Sequence, residues 1–157
     1  MSRRDQIKMT DEEADAFLAE GKVMVCATNG PDGFPHLMPL WYVVRESELV
    51  AWTYAKSQKV KNLERDPRAT LQVEEGVEYQ ELRGVMLKCD VTLVRDTEQV
   101  AEVGLEIFKK YSGGAAGELA DEVREMVLKQ ATKRVAMRFV ERERATWDHR
   151  KLAAGVY

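Results

Sequence analysis

Lys56, Ser57, Lys59 and Asn62 are the residues whose types and spacing best suit chemistry in this chain. They lie in Thr53-Tyr54-Ala55-Lys56-Ser57-Gln58-Lys59-Val60-Lys61-Asn62-Leu63, where a β-type run gives way to a short lysine-rich helix. A helix start offers free backbone N–H groups and the positive end of the helix dipole, which together bind anions. Lys56, Lys59 and Asn62 recur every third residue, a spacing that lets them face one ligand from the first helical turn. A solvated basic helix face is the other reading that charge alone allows.

A second dense segment is Gly33-Phe34-Pro35-His36-Leu37-Met38-Pro39-Leu40-Trp41-Tyr42. Pro39 removes a ladder donor, so its strand belongs at an edge or a bulge. Edge backbone leaves polar groups that a planar ligand can use, with Met38, Trp41 and Tyr42 as contact surface; core or interface packing is the bland fate of such aromatics. His36 or Tyr42 is a candidate proton donor. Arg83 and the run Trp147-Asp148-His149-Arg150-Lys151-Leu152 complete the candidates. Trp147 within so polar a run calls for a covering surface, most economically a second subunit.

No Ser-His-Asp elbow and no catalytic-cysteine context is visible, so no catalytic side chain is nominated. With 2 histidines and 2 cysteines and no CxxC or HxxxH spacing, a metal site is not expected. Cys26 and Cys89 read as buried small hydrophobes. A chain without machinery for hard chemistry points to a cofactor that brings it.

The elements that must position these residues are legible in outline. Thr10-Asp11-Glu12-Glu13 is a capping box opening a helix that buries Ala14, Phe17 and Leu18 and ends near Gly21. Strands are expected at Val23 to Thr28, His36 to Arg45, Leu49 to Thr53, Ala69 to Val73, Val85 to Leu93 and from Val135 onward. Ser57 caps the lysine helix, Val60 and Leu63 give it an apolar stripe, and Asp66-Pro67 stops it. Two further helices carry Val100, Val103, Gly104, Ile107, Phe108 and Tyr111, then Leu119, Val123, Met126 and Val127. The glycine-rich stretch between them, residues 112–117, follows no strand and so fails the context test for a phosphate loop. Short connections make the sheet antiparallel, and closure into a barrel removes its edges.

At 157 residues the chain is the size of one domain, here 1–157, with 45% hydrophobic and 32% charged residues. A net charge of −3 argues against broad nucleic-acid binding. No apolar run suits a bilayer span, and Met1-Ser2-Arg3-Arg4 leads into a polar helix, so a cytoplasmic protein is expected.

Gly33-x-Pro35-His36-x-x-Pro39-x-Trp41, Trp52-Thr53-x-x-Lys56-Ser57-x-Lys59-x-x-Asn62-Leu63 and Trp147 to Leu152 resemble the FMN-binding split-barrel superfamily, the pyridoxamine 5′-phosphate oxidase-like proteins. The closer likeness is to its actinobacterial branch using the deazaflavin coenzyme F420, and it covers nearly the whole chain. It implies an α+β, mainly β fold: a six-stranded antiparallel split barrel with peripheral helices, working as a homodimer with cofactor sites between subunits. By that resemblance Thr53, Lys56, Ser57 and Lys59 hold the cofactor phosphate within the segment that ends at Asn62. Met38, Pro39 and Trp41 run along the ring, and Arg83, Trp147 and Arg150 approach from the other subunit. The implied function is hydride transfer between coenzyme F420 and a small organic acceptor. An FMN-dependent oxidase and a non-catalytic carrier are the alternatives. Gln58 stands where FMN-type oxidases carry arginine, which favours the deazaflavin. The inserted helical pair, residues 98–130, shapes a substrate pocket or caps the barrel.

Overall fold

The computed structural model describes residues 1–112 and 119–153. Most of the glycine-rich loop between the late helices therefore lies outside the described residues, as does the end of the chain.

The chain opens with a single helical turn, α1 (Arg3–Gln6), and then α2 (Asp11–Glu20). The expected capping box is formed: the Glu13 N–H donates to Thr10 Oγ1 at 3.1 Å, and the Thr10 N–H donates to Glu13 Oε2 at 2.9 Å. These bonds satisfy two of the orphan donors at the helix start. Ala14, Phe17 and Leu18 are buried, as their spacing requires.

Seven strands follow: β1 (Met24–Asn29), β2 (Pro35–Leu40), β3 (Val43–Arg45), β4 (Glu48–Tyr54), β5 (Arg68–Glu75), β6 (Arg83–Val94) and β7 (Arg134–Asp148). Helix α3 (Gln58–Arg65) joins β4 to β5, while α4 (Thr97–Tyr111) and α5 (Asp121–Ala131) sit between β6 and β7. All pairings are antiparallel, in the order β2-β1-β5-β6-β7-β4-β3.

The expected strand from His36 to Arg45 is two strands, which corrects the count from six to seven. Tyr42 is the reason. Its side chain is fully buried and its hydroxyl donates to the Leu18 carbonyl at 2.6 Å, while its N–H donates to the Tyr111 hydroxyl at 3.1 Å. The backbone therefore leaves the ladder at Trp41 and Tyr42. These two residues carry the chain from one edge strand, β2, straight to the other, β3. So short a link between opposite edges forces the sheet to curl round on itself. Pro39 sits on edge strand β2, as its missing N–H demands.

Inside the curl, Met24, Leu71, Val85, Met137 and Phe139 form one core with α2. Outside β4 and β7, Val50, Ala136 and the half-buried Trp52 pack under α4. On α5 the inward residues are Val127 and Ala131; Met126, expected on the buried stripe, is exposed.

The last strand is longer than expected. β7 runs through the charged stretch to Asp148, paired with β6 across a bulge at Lys88 and Cys89. Trp147 finds cover within its own chain: it lies opposite Gly84, where a Cβ would collide with the indole. The surface that its polar neighbours suggested it would need from a second subunit is thus supplied, at least in part, by a glycine.

Candidate functional site

β4 ends at Tyr54 and α3 begins at Gln58, with Ser57 in N-cap conformation (φ −68°, ψ 155°). The Ser57 side chain makes no capping bond, and its Oγ is buried without a partner. The first turn of α3 carries no acidic residue. The helix start thus keeps its positive end uncompensated.

Lys59 is not the exposed lysine that a basic helix face implies. It is 6% exposed, and its Nζ donates to Thr53 Oγ1 at 2.9 Å. Burial pushes its pKa down, nearby Cys26 pulls the other way, and Arg134 lowers it further. Among the described residues no carboxylate pairs with Lys59, Lys56 or Arg134. A buried ammonium without a counter-ion is expensive to hold, so an anion here would stabilise it. The Cys26 thiol is itself pushed up to about 12 by burial and stays neutral.

Asn62 corrects the expectation of a common ligand face. It is fully buried, donating from Nδ2 to Thr28 Oγ1 at 3.0 Å and accepting from Gln58 Nε2 at 2.8 Å. Its amide ties α3 to β1 while Lys59 ties it to β4, so the two side chains suspend the helix across the inside of the sheet. Lys56 instead projects into solvent. His36 lies opposite Thr28 on β2 with its Nδ1 buried and unpartnered. Tyr42 is no proton donor for this site, because its hydroxyl is committed to Leu18 and burial pushes its pKa up.

Trp52 and Thr53 are adjacent on β4 and therefore point to opposite faces. On the outer face, Arg134 lies over both Trp52 and Tyr54, its Cζ 4.5 Å and 4.1 Å from the ring centroids. The Arg134 Nε is also buried without a partner. Sequence reading missed Arg134, since only pairing across β4 and β7 reveals it. A cavity of about 430 Å³ opens here between Trp41, Trp52, Phe108 and Arg134. Trp41 is 56% exposed and stacks on Tyr111 at 4.3 Å with rings 6° apart. Met38, on β2, is also exposed.

Arg83, Trp147 and Arg150 are not brought to this place within one chain. Thr53 pairs with Val135 and Gly84 with Trp147, so roughly 40 Å of strand path along β7 separates the two groups. Arg83 is ion-paired with Glu75, and Arg150 grips Asp148 at 2.7 and 2.9 Å. Another cavity, about 550 Å³ and bounded by Arg68, Lys88 and Arg142, has its cations neutralised by Asp66, Glu143 and Asp90. It offers an anion less than the α3 start does.

At the α3 start the unpartnered Ser57 Oγ stands beside Lys59, with His36 opposite Thr28 on β2, while the unpartnered Arg134 Nε lies on the outer face. Unpaired donors, uncompensated cations and a helix start form a cradle for a phosphate, and the adjoining aromatic cavity suits a flat ring. The residues present therefore fit a phosphate-bearing flavin or deazaflavin.

Comparison with known proteins agrees. The sequence matches no curated protein. In structure it is similar to the conserved hypothetical protein Rv2991 from Mycobacterium tuberculosis, with 37% identity, a TM-score of 0.85, and coverage of 99% of this chain and 98% of that one. It is also similar to an F420 reductase at 20% identity and TM-score 0.65, covering 86% of this chain and 98% of that one. An FAD-binding protein from Mesorhizobium loti is 17% identical with TM-score 0.65, covering 88% and 94%. These two lower likenesses speak for the fold. The model of the pyridoxamine 5′-phosphate oxidase family matches residues 10–147, and the chain therefore belongs to that family of flavin-binding split barrels, which includes oxidoreductases.

Proposed function

We propose that the protein is an oxidoreductase that binds coenzyme F420 with its phosphate at the β4–α3 junction and passes a hydride to a small organic acceptor. The observation that carries the reading is the Ser57–Lys59 cradle: a helix start, a buried ammonium and an unpartnered hydroxyl with no carboxylate among them. When bound, the reduced deazaflavin supplies a hydride that the acceptor takes at carbon, with a proton drawn from solvent.

The chain's own residues bind and orient. Lys59 and Ser57 hold the phosphate from inside the sheet, and Lys56 adds charge at the mouth. Met38 and Pro39 on edge strand β2, with Trp41 just past its end, would line the ring. The buried anchors on Asn62 and Lys59 keep α3 rigid, which fixes the phosphate and hence the ring. His36, opposite Thr28 on β2, keeps its buried Nδ1 without a partner beside the cradle.

The working unit in this reading is a homodimer. Arg83 at the start of β6, Trp147 near the end of β7 and Arg150 just beyond it lie too far from the cradle of their own chain to share it, and a second copy would bring them to it. The exposed Phe34, Leu37 and Met38 on and beside edge strand β2 supply apolar surface for that contact.

FMN is the second reading, favoured by the family match itself. Titration of the apoprotein with coenzyme F420 and with FMN, followed by quenching of cofactor fluorescence, separates the two. Micromolar binding of the deazaflavin and weak binding of FMN is expected. A yellow protein that purifies with bound flavin would overturn the preference.

A further inference from the structure

We infer that the cavity over Trp52 seats the acceptor, and that the acceptor is a flat, conjugated monoanion whose charge meets Arg134. The word acceptor rests on the cofactor reading above; the binding of such an anion does not.

At about 430 Å³ the cavity is in the size range of small-molecule sites, about 300–1,000 Å³. Its walls are flat. Trp52 forms one of them, and α4 lies close against its ring because residue 104 is glycine; a Cβ there would collide with the indole. Trp41, held by its stack on Tyr111, and Phe108 add further aromatic surface. Such rings favour planar ligands that stack or meet them edge-on.

Arg134 decides the charge. The Trp52 and Tyr54 rings hold its guanidinium by cation–π contact, which fixes the plane of its donors. Its Nε is buried and unpartnered, a costly state that an acceptor atom relieves. No acidic residue lies among the described residues lining the cavity, and Arg134 is the one cation there. A single cation beside aromatic walls selects one negative charge on a conjugated frame. Gln130, also on the lining, offers an amide for a neighbouring carbonyl. Pro39 and Trp41 border the same cavity, so a ligand here abuts the strand along which the cofactor ring is proposed to run.

The probe is 2-naphthoate, with neutral 2-naphthamide as its isostere, titrated calorimetrically into cofactor-free protein. We expect 2-naphthoate to bind at least tenfold more tightly than the amide. Arg134→Met should abolish that difference and Arg134→Lys should keep part of it. Met126→Trp, an exposed α5 position on the cavity lining, should fill the space and weaken both ligands without unfolding the protein. Equal binding of acid and amide, or unchanged naphthoate affinity in Arg134→Met, overturns the inference. So does competition between naphthoate and deazaflavin, because the two would then share one seat. Naphthoate binding as expected with no deazaflavin binding sinks the cofactor reading and leaves the anion pocket standing.

Discussion

Lys59 and Thr53 are joined by a buried hydrogen bond of 2.9 Å from Nζ to Oγ1, and no carboxylate among the described residues completes the pair. This separates affinity from stability at one residue. Lys59→Met keeps the buried stem and removes the desolvated charge, so the melting temperature should hold or rise. Phosphate affinity should fall about tenfold to hundredfold, the worth of a charge-assisted hydrogen bond. Lys61, exposed on the same helix, serves as control through Lys61→Ala. Equal deazaflavin affinities for the two variants would return α3 to a plain basic helix.

Asn62 should behave in the opposite way. Asn62→Ala leaves the buried Thr28 hydroxyl without its partner, releases the exposed Gln58 amide and opens a small void. A loss of about 1–3 kcal/mol in urea unfolding is expected. A loss below about 0.5 kcal/mol would mean that the amide does not anchor the helix.

Gly84 and Trp147 form a third coupled pair. Gly84→Ala forces its new methyl into the indole, an overpacking that should cost about 1–3 kcal/mol. Combining it with Trp147→Leu should recover part of that loss, because the colliding ring is gone. Strict additivity in denaturant midpoints would show that the two residues do not touch.

Lys110 predicts a pH dependence. Its Nζ lies 4.0 Å from the Tyr42 ring centroid and donates to the Tyr42 carbonyl at 2.9 Å. Burial, with Lys22 nearby, brings its pKa down from 10.5 to about 8. Between those values the unfolded chain binds more protons than the folded one, so this group makes stability rise with pH from about 8 to 10.5. The cost is present in full below pH 8. Melting temperatures of wild type and Lys110→Met across this window should converge as pH increases. Parallel curves would contradict the shift.

Short-range signals carried the sequence reading. The Thr10–Glu13 capping box, the alternation in β6, the buried stripe of Val60 and Leu63 in α3, and the edge position of Pro39 each depend on residues a few places apart. Their stereochemistry is local, so periodicity and turn chemistry reveal it. The basic helix start at Ser57 was visible for the same reason.

What only the tertiary structure decided depends on register between distant strands. That Lys59 and Asn62 turn inward follows from α3 hanging between β1 and β4, elements with three strands between them in pairing order. Arg134 meets the Trp52 and Tyr54 rings because it pairs with Tyr54, and Trp147 finds cover because it meets Gly84. The break at Trp41 and Tyr42 exists because Leu18 and Tyr111 capture the Tyr42 side chain and backbone. Spacing along a chain encodes which face a residue takes within its own element. It does not encode what that face meets, because that is set by long-range closure of the sheet.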